Sequence, residues 1–300
     1  MVQRVLALFD HPRPPSRVTE EQFDDCQEDL EKTAAKAWHE IGQEDYWHYV
    51  LDLCYVELQL DLFDYLFPAY LIKWWEGLLS GMGGPESECD FYRAIDHGQV
   101  LSKMMRADRR ELVYEWMTDA YIDSVDHWSG QLSTAYLSEG PSRLHLPLWS
   151  FHALGQSVPI LDRILPRLSE VSTQGRAQWW LVLGTGLAWP ENKCPFIPEW
   201  TPDGGGGGVY LLESEASIFD HGYLPSNFEA LDQHVTSLAV ISHLGDARDL
   251  LPSFESDWAK AAQDVLMNDR AGFQARLDEF KSLLQKPDLG FWERMGQEGC

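Results

Sequence analysis

Apolar side chains stepping by three and four constrain this chain more than any other feature. Phe23, Cys26, Leu30, Ala34, Ala37 and Ile41 recur in that rhythm. They follow Thr19-Glu-Glu-Gln22, in which the hydroxyl and the amide have the spacing of a reciprocal helix cap. The pattern predicts one helix with a single buried stripe, stopped at Gly42. Its other faces carry Glu20, Glu21, Asp24, Asp25, Glu28, Asp29 and Glu31.

The same period runs through most of the remaining chain. Residues 44–66, with Trp47, Val50, Leu51, Cys54, Leu58 and Leu62, read as a helix buried on most sides, with a break near Leu60. Pro68 suits the first turn of a new helix, where its missing N–H costs nothing. That helix runs through Tyr70, Leu71, Trp74, Trp75 and Leu78 to Gly81, and a loop reaches Cys89. A further helix spans Phe91 to Trp128, broken near Ala107. Between Gly130 and Pro147, turn formers interrupt the period. The lobe boundary is placed there, near residue 140, giving an acidic helical domain over 1–139 and a second over 140–300.

The second lobe is helical around 148–155, 158–171 and 175–184. An irregular segment over 187–208 carries Pro190, Pro195, Pro198, Pro202 and five consecutive glycines. A short strand is expected near Val209–Leu212. Helix returns with Ser226-Asn-Phe-Glu229, a second capping-box pattern, and the stripe Phe228, Leu231, Val235, Leu238. A last pair covers roughly 255–267 and 270–285, with a turn at Asn268-Asp269. The predicted fold class is all-α, in two helical lobes.

Charge narrows the choice of partner. The chain has 300 residues, 23 basic and 48 acidic, for a net charge of −25. Such a field repels nucleic-acid backbone and anionic membrane and attracts basic surfaces. Hydrophobic residues make up 44%, enough for a sizeable core. Cys26, Cys54, Cys89, Cys194 and Cys300 are scattered, odd in number and without a Cys-x-x-Cys pair. That argues for thiols in a reducing, cytoplasmic setting and against a disulfide framework or structural zinc. No apolar run approaches the roughly 20 residues of a membrane span.

Catalytic signatures are scarce. The Gly-x-Ser-x-Gly elbow, the Walker phosphate loop and His-Glu-x-x-His are absent. A di-iron helical site needs paired Glu-x-x-His motifs, and Asp45-Tyr-Trp-His48 is a lone approximation. His234 and His243, nine apart, point to opposite faces of a helix. Gly184-Thr-Gly186 lacks the third glycine of a dinucleotide loop, and Gly204–Gly208 lacks a Lys or Ser to hold phosphate. Glu57, Asp61 and Asp64, spaced for one helix face, and His48 with Asp52 have the types acid–base work needs. In so acidic a chain a solvated face is the plainer reading. No metal or cofactor is implied.

Two features stand out. Segment 20–64 holds 14 acidic residues against Lys32 and Lys36. Asp24, Asp25, Glu28 and Glu31 are its candidate partner-binding residues, since charge of one sign steers association with a basic protein. The second feature is the segment Trp189 to Trp200, long, irregular and aromatic. Its rings either pin it to its own lobe or present Trp189 and Trp200 as recognition anchors.

Leu6-Ala-Leu-Phe-Asp-His-Pro-Arg-Pro14, Trp38-His-Glu-Ile41 and Phe63-Asp-Tyr-Leu-Phe-Pro-Ala-Tyr-Leu71 resemble an uncharacterised family of small helical bacterial domains. The family combines a Phe…Pro-Arg-Pro start with a Tyr-x-x-Pro-Ala-Tyr-Leu helix, and the resemblance covers about residues 5–128. It implies a helical domain and brings no assigned activity, so no catalytic residue transfers. The expected function is a non-enzymatic binding protein for a basic protein partner, one form of which is an immunity protein of bacterial competition. The alternative is an enzyme with a divergent carboxylate and histidine site between the lobes.

Overall fold

A computed structural model describes residues 1–21, 26–42, 45, 49–50, 53, 56–80, 91–92, 95, 100–132, 150–151, 154–155, 157–189, 194–196 and 225–283. Among them are eleven α-helices, one 3-10 turn and no strand, so the chain is all-α. No described helix is long and apolar enough to cross a membrane. The chain divides into two compact units, Met1–Ala120 and Tyr121–Leu289. The division falls inside a helix; the expected boundary near 140 lies outside the described residues, as does Val209–Leu212.

The first unit is built on one helix that is apolar nearly all round. Its described helices are α1 (Val2–Leu8), α2 (Gln27–Ala35), α3 (Leu60–Ser80), α4 (Val100–Met104) and the start of α5 (Ala107–His127). In α3, 12 of 21 residues are buried, which makes it a core helix rather than a surface one. An aromatic ladder runs along it. Phe63 stacks on Phe67 at 4.6 Å, Tyr70 and Trp74 approach Phe91 at 4.8 and 5.5 Å, and Trp74 reaches Trp116 at 6.2 Å. The indole of Trp74 donates to the Tyr92 hydroxyl at 2.9 Å, so burial leaves that donor satisfied.

Four local expectations fail in this unit. Pro68 lies inside α3 rather than in a first turn. An interior proline costs about 3 kcal/mol, here offset by a helix buried on both sides of it. α2 ends at Ala35, not Gly42. Lys36 turns extended, its carbonyl accepts from the Tyr65 hydroxyl, and its ammonium pairs with Asp45. Ala37, expected in the stripe, is exposed, while Leu30, Ala34 and Ile41 are buried as expected. Thr19 caps no helix that is described. Its N–H and hydroxyl both donate to the Gln59 side-chain oxygen, at 2.6 and 3.0 Å. Two breaks are placed well: α3 begins at Leu60, and helix lapses at Met105 and Arg106 before α5.

The second unit has its own buried axis. It contains the end of α5, α6 (Leu161–Arg167), α7 (Thr173–Ala188), α8 (Pro225–His234), α9 (Ser237–Leu250), α10 (Ser253–Asn268) and α11 (Arg270–Leu283). Ser172 caps α7 by accepting from the Gly175 N–H at 3.1 Å, and Thr236 caps α9 through Ala239 at 3.1 Å. In α7, 13 of 16 residues are buried, and α9 and α10 pack against it and each other. Gly184 permits the α9 contact: a β-carbon there would lie 2.7 Å from a Leu244 methyl. The Gly-Thr-Gly run is thus a helix–helix contact rather than a phosphate loop.

Ser226 is not a cap, because α8 already begins at Pro225. Its neighbour Asn227 is fully buried and caps α6 instead, accepting from Leu161 N–H at 2.8 Å and donating to the carbonyls of Gly155 and Val158. Leu238, expected in the stripe, is 77% exposed because α9 restarts at Thr236 with a new phase. The turn at Asn268-Asp269 separates α10 from α11 as expected.

Candidate functional site

The acidic face begins with α2, whose stripe Leu30, Thr33 and Ala34 is buried. An inward stripe turns the rest of the helix to water, and Glu28 and Glu31 are exposed. Asp24 and Asp25 lie outside the described residues. Lys32 belongs to the same face and dilutes it. Its ammonium sits 2.8 Å from Asp29 and 3.7 Å from Glu28. The hydrogen bond and charge of Asp29, with Glu28 behind them, hold Lys32 above the ordinary lysine value. Glu31 forms no described ion pair with it.

Glu20, read from sequence as part of this face, is buried. Its carboxylate accepts from the Gln59 N–H at 2.8 Å, at the N-terminus of α3. Gln59 also donates to the Arg17 carbonyl at 2.8 Å and to Asp61 at 2.7 Å. One amide thereby fastens residues 17–20 to α3, and nothing in the local sequence pattern signals it.

Asp64 is the carboxylate nearest to a chemical role. Half-burial pushes its carboxyl above the usual range, opposed by the charge and hydrogen bond of Arg109 and supported by Asp10 and Asp61. Arg109 reaches Asp64 at 3.0 Å, donates to the Leu8 carbonyl at 2.8 Å and lies 4.2 Å over the Phe9 ring. Asp10 and His11 follow at φ 53° and 54°, a left-handed pair that L side chains adopt at a cost. Glu57, the third member of the expected carboxylate face, precedes α3 and is not helical. His48 and Asp52 lie outside the described residues.

Trp189 is half-buried at the end of α7, where its N–H closes on the Thr185 carbonyl at 2.9 Å. Trp200 lies outside the described residues. Of the aromatic segment between them, Cys194 is a buried thiol, and Phe196 stacks on Trp258 at 6.3 Å and meets Phe254 at 6.0 Å. That part of the segment is pinned to its own unit. Trp180 stacks on His243 at 4.3 Å. Among the described residues, no group of three His, Cys, Asp or Glu side chains could hold a metal.

Sequence reasoning missed a buried polar chain in the second unit. Gln178 accepts from the Gly130 N–H at 3.0 Å and donates to Glu255 at 3.4 Å. Gln178 is 5% exposed, Glu255 and Trp258 only 1%. The signal available was one amide inside the apolar run Ala177–Ala188. No family model, no curated protein and no solved structure matches this chain.

Proposed function

We propose that the first unit is a docking module for a basic protein partner, and that it works without chemistry of its own. The observation that carries this is the outward display of Glu28 and Glu31 on α2, within a segment of 14 acidic and two basic residues. Like charges held on one face repel one another, and a partner's lysines and arginines relieve that repulsion. The chain's net −25 extends the attraction beyond contact distance. An acidic protein of this kind covers the nucleic-acid site of a basic nuclease, as an immunity protein does; that form of the proposal rests on charge complementarity. The alternative of an enzyme draws less support. The described carboxyl raised by burial, Asp64, faces the guanidinium of Arg109 and not a histidine.

The test is a paired capture from the native host. One bait is the unaltered chain; the other carries Asp24→Lys, Asp25→Lys and Glu28→Lys. The proposal expects a basic protein on the first bait, at least about tenfold depleted on the second. Equal recovery on both baits would remove the acidic face from the account.

A further inference from the structure

The second unit holds two polar atoms that burial should not leave bare. Glu255 and Trp258 stand three residues apart on α10, hence on one face of the helix. The Trp258 indole nitrogen, a donor, and one Glu255 carboxylate oxygen, an acceptor, have no hydrogen-bond partner. Each such group costs roughly 1–3 kcal/mol when buried unmet. The other Glu255 oxygen has only the long 3.4 Å contact with Gln178. Beside the Trp258 ring lie those of Phe196 and Phe254, with Phe254 40% exposed and Trp258 1%. Those rings pack against the Trp258 indole, and Phe254 carries the contact toward solvent.

We propose that this turn of α10 is a binding site for a small neutral amide with an apolar body. A carboxamide presents an N–H and a carbonyl oxygen side by side. Its N–H donates to the bare Glu255 oxygen and its oxygen accepts from the Trp258 indole. The aromatic rings take the apolar body once Phe196 and Phe254 turn aside. An anionic ligand is excluded by the carboxylate, and a pure hydrocarbon leaves both polar atoms unmet. The site is separate from the docking face and stands or falls independently of it.

Benzamide is the probe, with ethylbenzene and benzoate as controls of similar size. The full chain, labelled with nitrogen-15, is titrated with each. The Trp258 indole signal is identified as the one missing from Trp258→Phe, which keeps a ring and removes the N–H. Benzamide should shift that signal saturably and bind at least about tenfold more tightly than either control, the worth of one good buried hydrogen bond. Trp258→Phe should weaken benzamide binding by a similar factor, read from the protection it gives against thermal unfolding. Should that variant fail to fold, the order of the three ligands on the unaltered chain decides alone. A benzamide titration that does not saturate, or ethylbenzene binding as tightly as benzamide, overturns the proposal.

Discussion

The two units bury a central helix by different means. In the first, α3 is wrapped in aromatic rings, and beside neutral bonds such as those of Gln59 and Trp74 stand charged fasteners: Asp64 with Arg109, Asp45 with Lys36, Asp119 with Arg4. In the second, α7 is approached closely through Gly184, and the fasteners named above are mostly neutral: the caps Ser172 and Thr236, and the buried amides Asn227 and Gln178. Charged fasteners answer to pH and salt, whereas neutral amides and hydroxyls do not. The unit that displays the acidic face is thus also the one whose own cohesion is partly tuned by charge.

The largest expected effect tests the aromatic half of that contrast. Phe67 is fully buried between Phe63, Phe9 and Phe91. Phe67→Ala should cost about 3–5 kcal/mol in urea unfolding, the usual range for an aromatic removed from a core. A loss under about 1 kcal/mol would mean the ladder is not a packed core. Next comes the neutral half. Asn227→Ala strands the Leu161 N–H and the carbonyls of Gly155 and Val158. The expected cost is about 2–4 kcal/mol, since each stranded group carries its own desolvation penalty, and the cost should be flat between pH 3 and 7.

Asp45 gives a smaller effect with the opposite pH behaviour. Burial works against its ionisation, but the Lys36 hydrogen bond, the Gly42 N–H at 2.7 Å and the Lys36 charge outweigh it and hold its pKa below 3.8. A depressed pKa means the stabilisation is present above 3.8 and is lost as pH falls through the folded-state value. Asp45→Asn should therefore cost about 0.5–1 kcal/mol at pH 7, allowing for the partly exposed lysine. The gap should narrow as pH drops below 3.8. Asp64 runs the other way: its pKa is raised, so its ionisation weakens the fold as pH rises from 3.8 through the folded value. A gap for Asp45→Asn that widens in acid would reverse the assignment of the Lys36 pair.

Periodicity made the helical class and several breaks legible, because the three-four rhythm reports which side chains face inward. Leu30, Ala34, Leu231 and Val235 are buried as that rhythm requires. Capping boxes were less reliable. Thr19 and Ser226 have the right neighbours, yet Gln59 takes the first and α8 begins before the second. A side chain that can cap locally can also bind a distant backbone, and spacing does not distinguish the two. Leu238 failed for the same reason, since the cap at Thr236 reset the helix phase. Gln59, Gln178 and Glu255 were not legible, because their partners lie 39 to 77 residues away. On the acidic face, exposure of Glu28 and Glu31 followed from the stripe, while burial of Glu20 did not, because it lies before α2.

The central claim is that charge on the α2 face drives association, and the kinetics of binding against ionic strength test it most directly. The partner recovered from the paired capture would be mixed with the unaltered chain and with the Asp24→Lys, Asp25→Lys, Glu28→Lys variant. If the proposal is right and all three positions are surface ones, both proteins should unfold within about 1.5 kcal/mol of each other, at roughly 0.5 kcal/mol for each substitution. The unaltered chain should associate at least about tenfold faster at low salt. That advantage should shrink near 0.15 M, where screening acts over roughly 8 Å. Equal association rates for the two proteins, unmoved by salt, would contradict the claim and leave the face a solvated surface.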